Sequence, residues 1–98
     1  MAQSLKIAIA QMNCVVGDLA GNVAKILDFC RRASAAGAEL IVTPELALCG
    51  YPPEDLLLRE GFYRDCEAAL SDLAARARGI TLLVGHPHEV DGKRYNAA

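Results

Sequence analysis

Glu45 is the first residue whose type and position could do chemistry. It directly follows the apolar run Glu39–Thr43 (ELIVT) and Pro44, a proline that fixes φ and keeps Thr43 extended. A carboxylate held at the end of a strand can act as a general base, a hydrogen-bond acceptor or a metal ligand. It can equally cap a helix or stand in solvent. Cys49 lies a few residues further on, within the same segment. A thiol beside a general base can be a nucleophile, yet no histidine is near in sequence, and a small residue filling a loop is the simpler account. His86 and His88 flank Pro87. On an extended segment their rings point the same way, so metal binding is geometrically open, with Glu45 as the obvious third donor. Tyr51, between Gly50 and Pro52, can meet a ligand, orient Glu45 through its hydroxyl, or plug the loop onto the core. Asn96 can reach into the same region or simply sit at a strand edge. Glu54, Asp55 and Arg59 read as a solvated helix face. The glycines form neither G-x-G-x-x-G nor a P-loop, so nothing here predicts a phosphate cradle.

The elements that must position these residues follow from periodicity. Leu5–Met12 is predicted to be a buried strand. Gly17 and Asp18 then break the chain and offer an N-cap. Leu19, Val23, Ile26, Leu27, Cys30 and Ala33 recur at helical spacing, and Gly37 is a natural terminator. Glu39–Thr43 is a second buried strand, and Pro44–Pro53 a long irregular loop. A short helix is expected at Glu54–Arg59 with Pro53 at its start, and a longer one at about Glu60–Arg78, with Phe62, Cys66, Ala69, Leu70, Leu73 and Ala77 as its stripe. Ile80–Gly85 reads as a third buried strand, His86–Lys93 as a turn-rich connection with a hairpin dipeptide, Asp91-Gly92, and Arg94–Ala98 as the start of a fourth strand. The fold class is therefore α/β, β-α-β-α-β with a parallel sheet. Sites in such sheets form beyond the carboxyl ends of the strands, where Gln11–Cys14, Pro44–Tyr51 and Gly85–His88 fall. Such a sheet needs cover on both faces, and the two main helices are few for that. The 98 residues are expected to be part of a larger domain.

Composition narrows the class. With 53% apolar and 22% charged residues and a net charge of −2, the chain is globular rather than disordered. It lacks the basic character of a nucleic-acid binder. No apolar stretch is long enough for a membrane helix, and a cytoplasmic location is expected. The four cysteines, Cys14, Cys30, Cys49 and Cys66, show no C-x-x-C spacing and are expected to be reduced and mostly buried.

Gln11, Gly17-Asp18, Asn22 and the run TPELALCGYPPEDLLLR at 43–59 together resemble the nitrilase, or carbon–nitrogen hydrolase, superfamily. GYPPEDLLLR narrows this to the N-terminal glutaminase domains of glutamine-dependent NAD synthetases. VGHPHEV at 84–90 and YNAA at 95–98 are similar to the next segments of that pattern. The resemblance implies a nitrilase-like αββα sandwich of which residues 1–98 are the N-terminal part, the synthetase domain lying outside them. It implies that Glu45 is the general base of a Glu-Lys-Cys set; from its place in the loop Tyr51 is expected adjacent to substrate, and no metal is expected at this site. The nucleophilic cysteine would attack the side-chain amide of L-glutamine, the lysine would stabilise the oxyanion, and ammonia would pass on for ATP-dependent amidation of deamido-NAD. Lys6, Lys25 and Lys93 do not match the family's lysine, nor Cys49 its cysteine; both partners are expected after residue 98. The chain alone is then expected to be inactive and to need no cofactor, with ATP and Mg2+ belonging to the synthetase domain. The resemblance further implies a homo-oligomer. The alternatives are a stand-alone amidase of the same superfamily and a non-catalytic α/β binding module.

Overall fold

Three short apolar segments form one parallel sheet. The computed structural model describes residues 4–98, and in it β1 (Ile7–Ile9), β2 (Leu40–Val42) and β3 (Thr81–Leu83) lie side by side in that order. Ala8 pairs with Ile41 and Ile41 with Leu82. Helix α1 (Leu19–Ala35) crosses from β1 to β2, and α2 (Phe62–Arg76) from β2 to β3. Asp18 caps α1 by accepting from the Gly21 amide at 3.0 Å. At its far end the Gly37 amide donates to Ser34 O and the Ala38 amide to Ala33 O, both at 3.0 Å, with Gly37 at φ +87°. That is a Schellman cap, and glycine reaches its left-handed conformation without steric cost. A 3-10 helix, Glu54–Leu58, follows Pro53.

A strand order that advances without reversal, joined by right-handed crossovers, places both helices on one face. α1 and α2 indeed pack against each other. Ile41, at 1% exposure, lies beneath them with Ile26 and Leu73. Each of these side chains contributes roughly 1.5–3 kcal/mol by leaving water. Paired positions share a face, so Ile7, Ile9 and Leu83 point the other way, and they are 49%, 75% and 46% exposed. This corrects the expectation of three fully buried strands: β1 and β3 are covered on one side only.

The segment after β3 also departs from expectation. His86–Lys93 is not a turn-rich connection; His86–Val90 is a strand, β4, antiparallel to β5 (Lys93–Ala97). Only Asp91-Gly92 turns, with φ of +52° and +73°, the pattern of a two-residue type I′ hairpin. This hairpin forms its own two-stranded sheet. Buried His86 and Pro87 seat it, and the Arg94 guanidinium lies 4.9 Å above the Tyr63 ring of α2 while donating to Glu89 at 2.8 Å. Among the described residues no helix is long and apolar enough to cross a membrane.

Candidate active site

The carboxyl ends of the parallel strands converge as the alternation of elements predicts. The Ala10 amide donates to Val42 O at 2.9 Å, and the Thr43 amide and hydroxyl both donate to Leu83 O at 3.1 Å. Pro44 then ends the ladder, and Glu45–Cys49 turns. The expected long irregular loop is instead a compact buried turn. Ala47, Leu48 and Cys49 are each at most 1% exposed, and the Ala47, Cys49 and Gly50 amides all find carbonyl partners within the turn. Glu45 alone projects from it into solvent.

Three contacts hold this turn from outside. The first is Asn22 of α1, fully buried at 0% exposure. Its Oδ1 accepts from the Val15 amide at 2.8 Å, and its Nδ2 donates to Val15 O at 2.8 Å and Leu48 O at 3.1 Å. One side chain thereby satisfies three backbone groups of two loops, as buried polar groups require. The second is a close approach of backbones: the Gly17 amide donates to Cys49 O at 2.8 Å, and a Cβ on Gly50 (φ +83°) would lie 2.7 Å from Val16 Cα. The third comes from the end of β3. The Leu48 amide donates to Gly85 O at 3.1 Å, and a Cβ on Gly85 would lie 2.6 Å from the Leu46 amide nitrogen and 2.9 Å from Pro44 O. Glycine is required there by space. Under this pressure Leu46 adopts φ +51°. That conformation costs a branched side chain about 1–3 kcal/mol and persists only when neighbours over-determine it.

Asn96 supplies the contact with Glu45 itself. It stands on β5 opposite Pro87, and its Nδ2 donates to Glu45 Oε1. Of its two sequence readings, the structure selects the one that reaches the site. Tyr51, 62% exposed, is not the partner of the Glu45 carboxylate, so the hydroxyl-orienting reading of this residue gives way to Asn96. The rings of His86 and His88 stand 5.9 Å apart, edge to face. Among the described residues no third histidine, cysteine or acidic side chain joins them in a cluster fit for a metal ion. Cys49 is fully buried, and burial pushes its thiol up from the ordinary range, which opposes thiolate formation and a nucleophilic role. Lys6 donates to Ala36 O at the end of α1, and Lys25 to Asn13 O at 2.7 Å.

Asn22 is the residue that sequence reasoning undervalued. It falls on the apolar stripe of α1, one turn from Leu19 and from Ile26. A polar amide in an otherwise apolar stripe is the signal that could have marked it.

Comparison with known proteins bears on this geometry. Residues 6–98 match the carbon-nitrogen hydrolase family. The chain is 45% identical over 98 residues to the glutamine-dependent NAD(+) synthetase of Xanthomonas campestris pv. campestris, covering 99% of this chain and 18% of that protein. It is 43% identical over 96 residues to the glutamine-dependent NAD(+) synthetase of Thermotoga maritima, covering 96% and 16%. The backbone superposes on a glutamine-dependent NAD(+) synthetase from Cytophaga hutchinsonii with a TM-score of 0.89 at 32% identity, covering 96% of this chain and 16% of that one. For an amidase from Nesterenkonia sp. the TM-score is 0.71 at 33% identity, covering 85% and 32%. The chain thus spans 18% or less of the length of these synthetases.

Proposed function

Given that the chain belongs to the carbon–nitrogen hydrolase family, we propose that it forms the N-terminal part of the glutaminase unit of a glutamine-dependent NAD synthetase. One observation carries this reading. Likeness to the synthetases extends over nearly the whole chain in both sequence and backbone, whereas the backbone superposes less well on the amidase, with a TM-score of 0.71 against 0.89, and over less of the chain, 85% against 96%.

In this reading Glu45 is the general base. It takes the proton of a cysteine thiol, and the resulting thiolate attacks the side-chain amide carbon of L-glutamine. The proton then goes to the departing nitrogen, and ammonia leaves. The enzyme is left as a thioester, and a water molecule deprotonated by Glu45 hydrolyses it to glutamate. A thiol yields little thiolate at neutral pH, which is why a fixed carboxylate base serves this chemistry. In this reading, as the resemblance implies, the cysteine and an oxyanion-stabilising lysine come from other segments of the protein; Lys6 and Lys25 bind backbone carbonyls, Lys93 opens β5, and Cys49 is fully buried. Tyr51, exposed beside the turn, contributes to the substrate's surroundings. Ammonia then serves an ATP-dependent amidation of deamido-NAD on a separate domain. In this reading ATP and Mg2+ serve that separate domain, and no step on the residues described is assigned to them.

The test is NAD formation by the intact synthetase with glutamine or with ammonia as nitrogen donor. Glu45→Gln is expected to abolish the glutamine-driven rate, by about 100-fold or more, and to leave the ammonia-driven rate intact. Undiminished glutamine-driven synthesis would overturn the reading, and so would ATP-independent hydrolysis of simple amides as the main activity. The isolated 98-residue chain is expected to show no glutaminase turnover. Turnover that disappears in Cys49→Ala would refute that.

A further inference from the structure

We infer that Asn96 is a positioning residue for the base, selecting which oxygen of Glu45 receives the proton; the inference rests on the proposed role of Glu45. Its Nδ2 donates to Oε1 of that carboxylate. An amide N–H can donate but cannot accept, so Oε1 has a lone pair occupied and faces a donor that cannot take its proton. Oε2 remains the free acceptor. With one of its two lone pairs engaged, Oε1 is the weaker acceptor; the proton from the nucleophile is thereby directed to Oε2, and the carboxylate needs no rotation at the moment of transfer. A Glu side chain otherwise turns freely about its last bond, because that torsion is broad and roughly two-fold.

The setting of Asn96 supports a fixed donor rather than a chance contact. It lies one residue from the end of β5, in register with Pro87, which is buried. β4 begins at His86, immediately after Gly85, whose carbonyl accepts from the Leu48 amide of the turn that carries Glu45. The hairpin and the turn are thus joined at two points, one through backbone and one through the side chain. The Arg94 guanidinium, two residues before Asn96, anchors the same strand over Tyr63 of α2. A donor mounted on a strand pinned at both sides keeps its geometry without being buried itself.

The experiment uses Asn96→Asp and Asn96→Ala in the intact synthetase. The Asp variant keeps shape and replaces the donor by an acceptor; the Ala variant removes the contact. Both are expected to lower kcat of the glutamine-driven reaction about 10–100-fold. KM for glutamine and the ammonia-driven rate should stay within about twofold of wild type, the signature of an interaction that matters in the transition state alone. The Asp variant should be the slower, since its carboxylate repels that of Glu45. Wild-type kcat in Asn96→Asp overturns the inference. So does a rise in KM alone, which would make Asn96 a substrate contact, and so does equal loss of both activities, which would make it a folding residue. Glu45→Gln runs alongside: if that variant is active the role of Glu45 itself fails, whereas an inactive Glu45→Gln with a normal Asn96→Asp refutes only the selection of the oxygen.

Discussion

Replacing Asn22 by alanine tests whether one buried amide holds the turn that carries Glu45. The side chain makes three hydrogen bonds, to Val15 N, Val15 O and Leu48 O, at 2.8, 2.8 and 3.1 Å. Each is worth about 1 kcal/mol net, so Asn22→Ala should cost about 3 kcal/mol. That figure is an about 100-fold rise in the local opening equilibrium. The two loops joined by Asn22 should report it first. Hydrogen exchange in the intact protein should accelerate about 100-fold at the Gly17 and Cys49 amides, which donate to Cys49 O and Leu46 O, if they open locally. Amides of β2, whose bonds do not touch Asn22, should change far less. Asn22→Asp separates the two halves of the argument. It keeps the acceptor for Val15 N but sets a buried carboxylate against two carbonyl oxygens, so it should cost at least as much as alanine. Exchange at Gly17 and Cys49 unchanged in Asn22→Ala, or an Asp variant close to wild type, would refute the reasoning.

The remaining predictions concern the neighbouring contacts. Gly85→Ala should displace the Glu45 turn, because its Cβ would meet backbone atoms at 2.6 and 2.9 Å; glutamine-driven kcat should fall while ammonia-driven synthesis persists, as steady-state kinetics would show. Cys49→Ala should leave glutamine-driven kcat unchanged in the intact enzyme, at a cost of about 1 kcal/mol in stability by denaturant titration. Cys66 is pushed by burial from an ordinary 9.0 up to about 12. The folded state holds this proton more tightly than the unfolded state, so its contribution to stability is fully present below pH 9.0 and declines as pH rises toward about 12. Melting temperatures should fall across that window, and Cys66→Ala should flatten the decline.

The helices and the general position of the site are legible in the sequence because their signals are local. Asp18 and Gly37 bracket α1, the stripe from Phe62 to Leu73 marks α2, and Pro44 ends β2 just before Glu45. What the sequence hides depends on pairing between distant segments. β4 reads as a turn because His-Pro-His lacks strand composition, and only its partner β5 makes it a strand. The open face of the sheet is hidden for a related reason, since an apolar run does not say how many of its sides are covered. Asn22 and Asn96 can be noticed in the sequence, but their partners cannot be read from it: only the fold brings Leu48 to the first and Glu45 to the second. The separations along the chain are 26 and 51 residues.

Those separations impose an order on how the site is made as the chain leaves the ribosome. The turn bearing Glu45 can close onto α1 and the Gly17 loop as soon as Cys49 has emerged, because Asn22 and Gly17 precede it. Its Leu46 conformation cannot be secured until Gly85 arrives, and the Glu45 carboxylate stays unheld until Asn96 appears, 51 residues after it. At about 5–20 residues per second, translation leaves the Glu45 carboxylate ungripped for roughly 3–10 seconds. The Glu45 segment is therefore completed from its C-terminal side, and a nascent chain arrested before residue 96 would carry Glu45 without the contact that orients it.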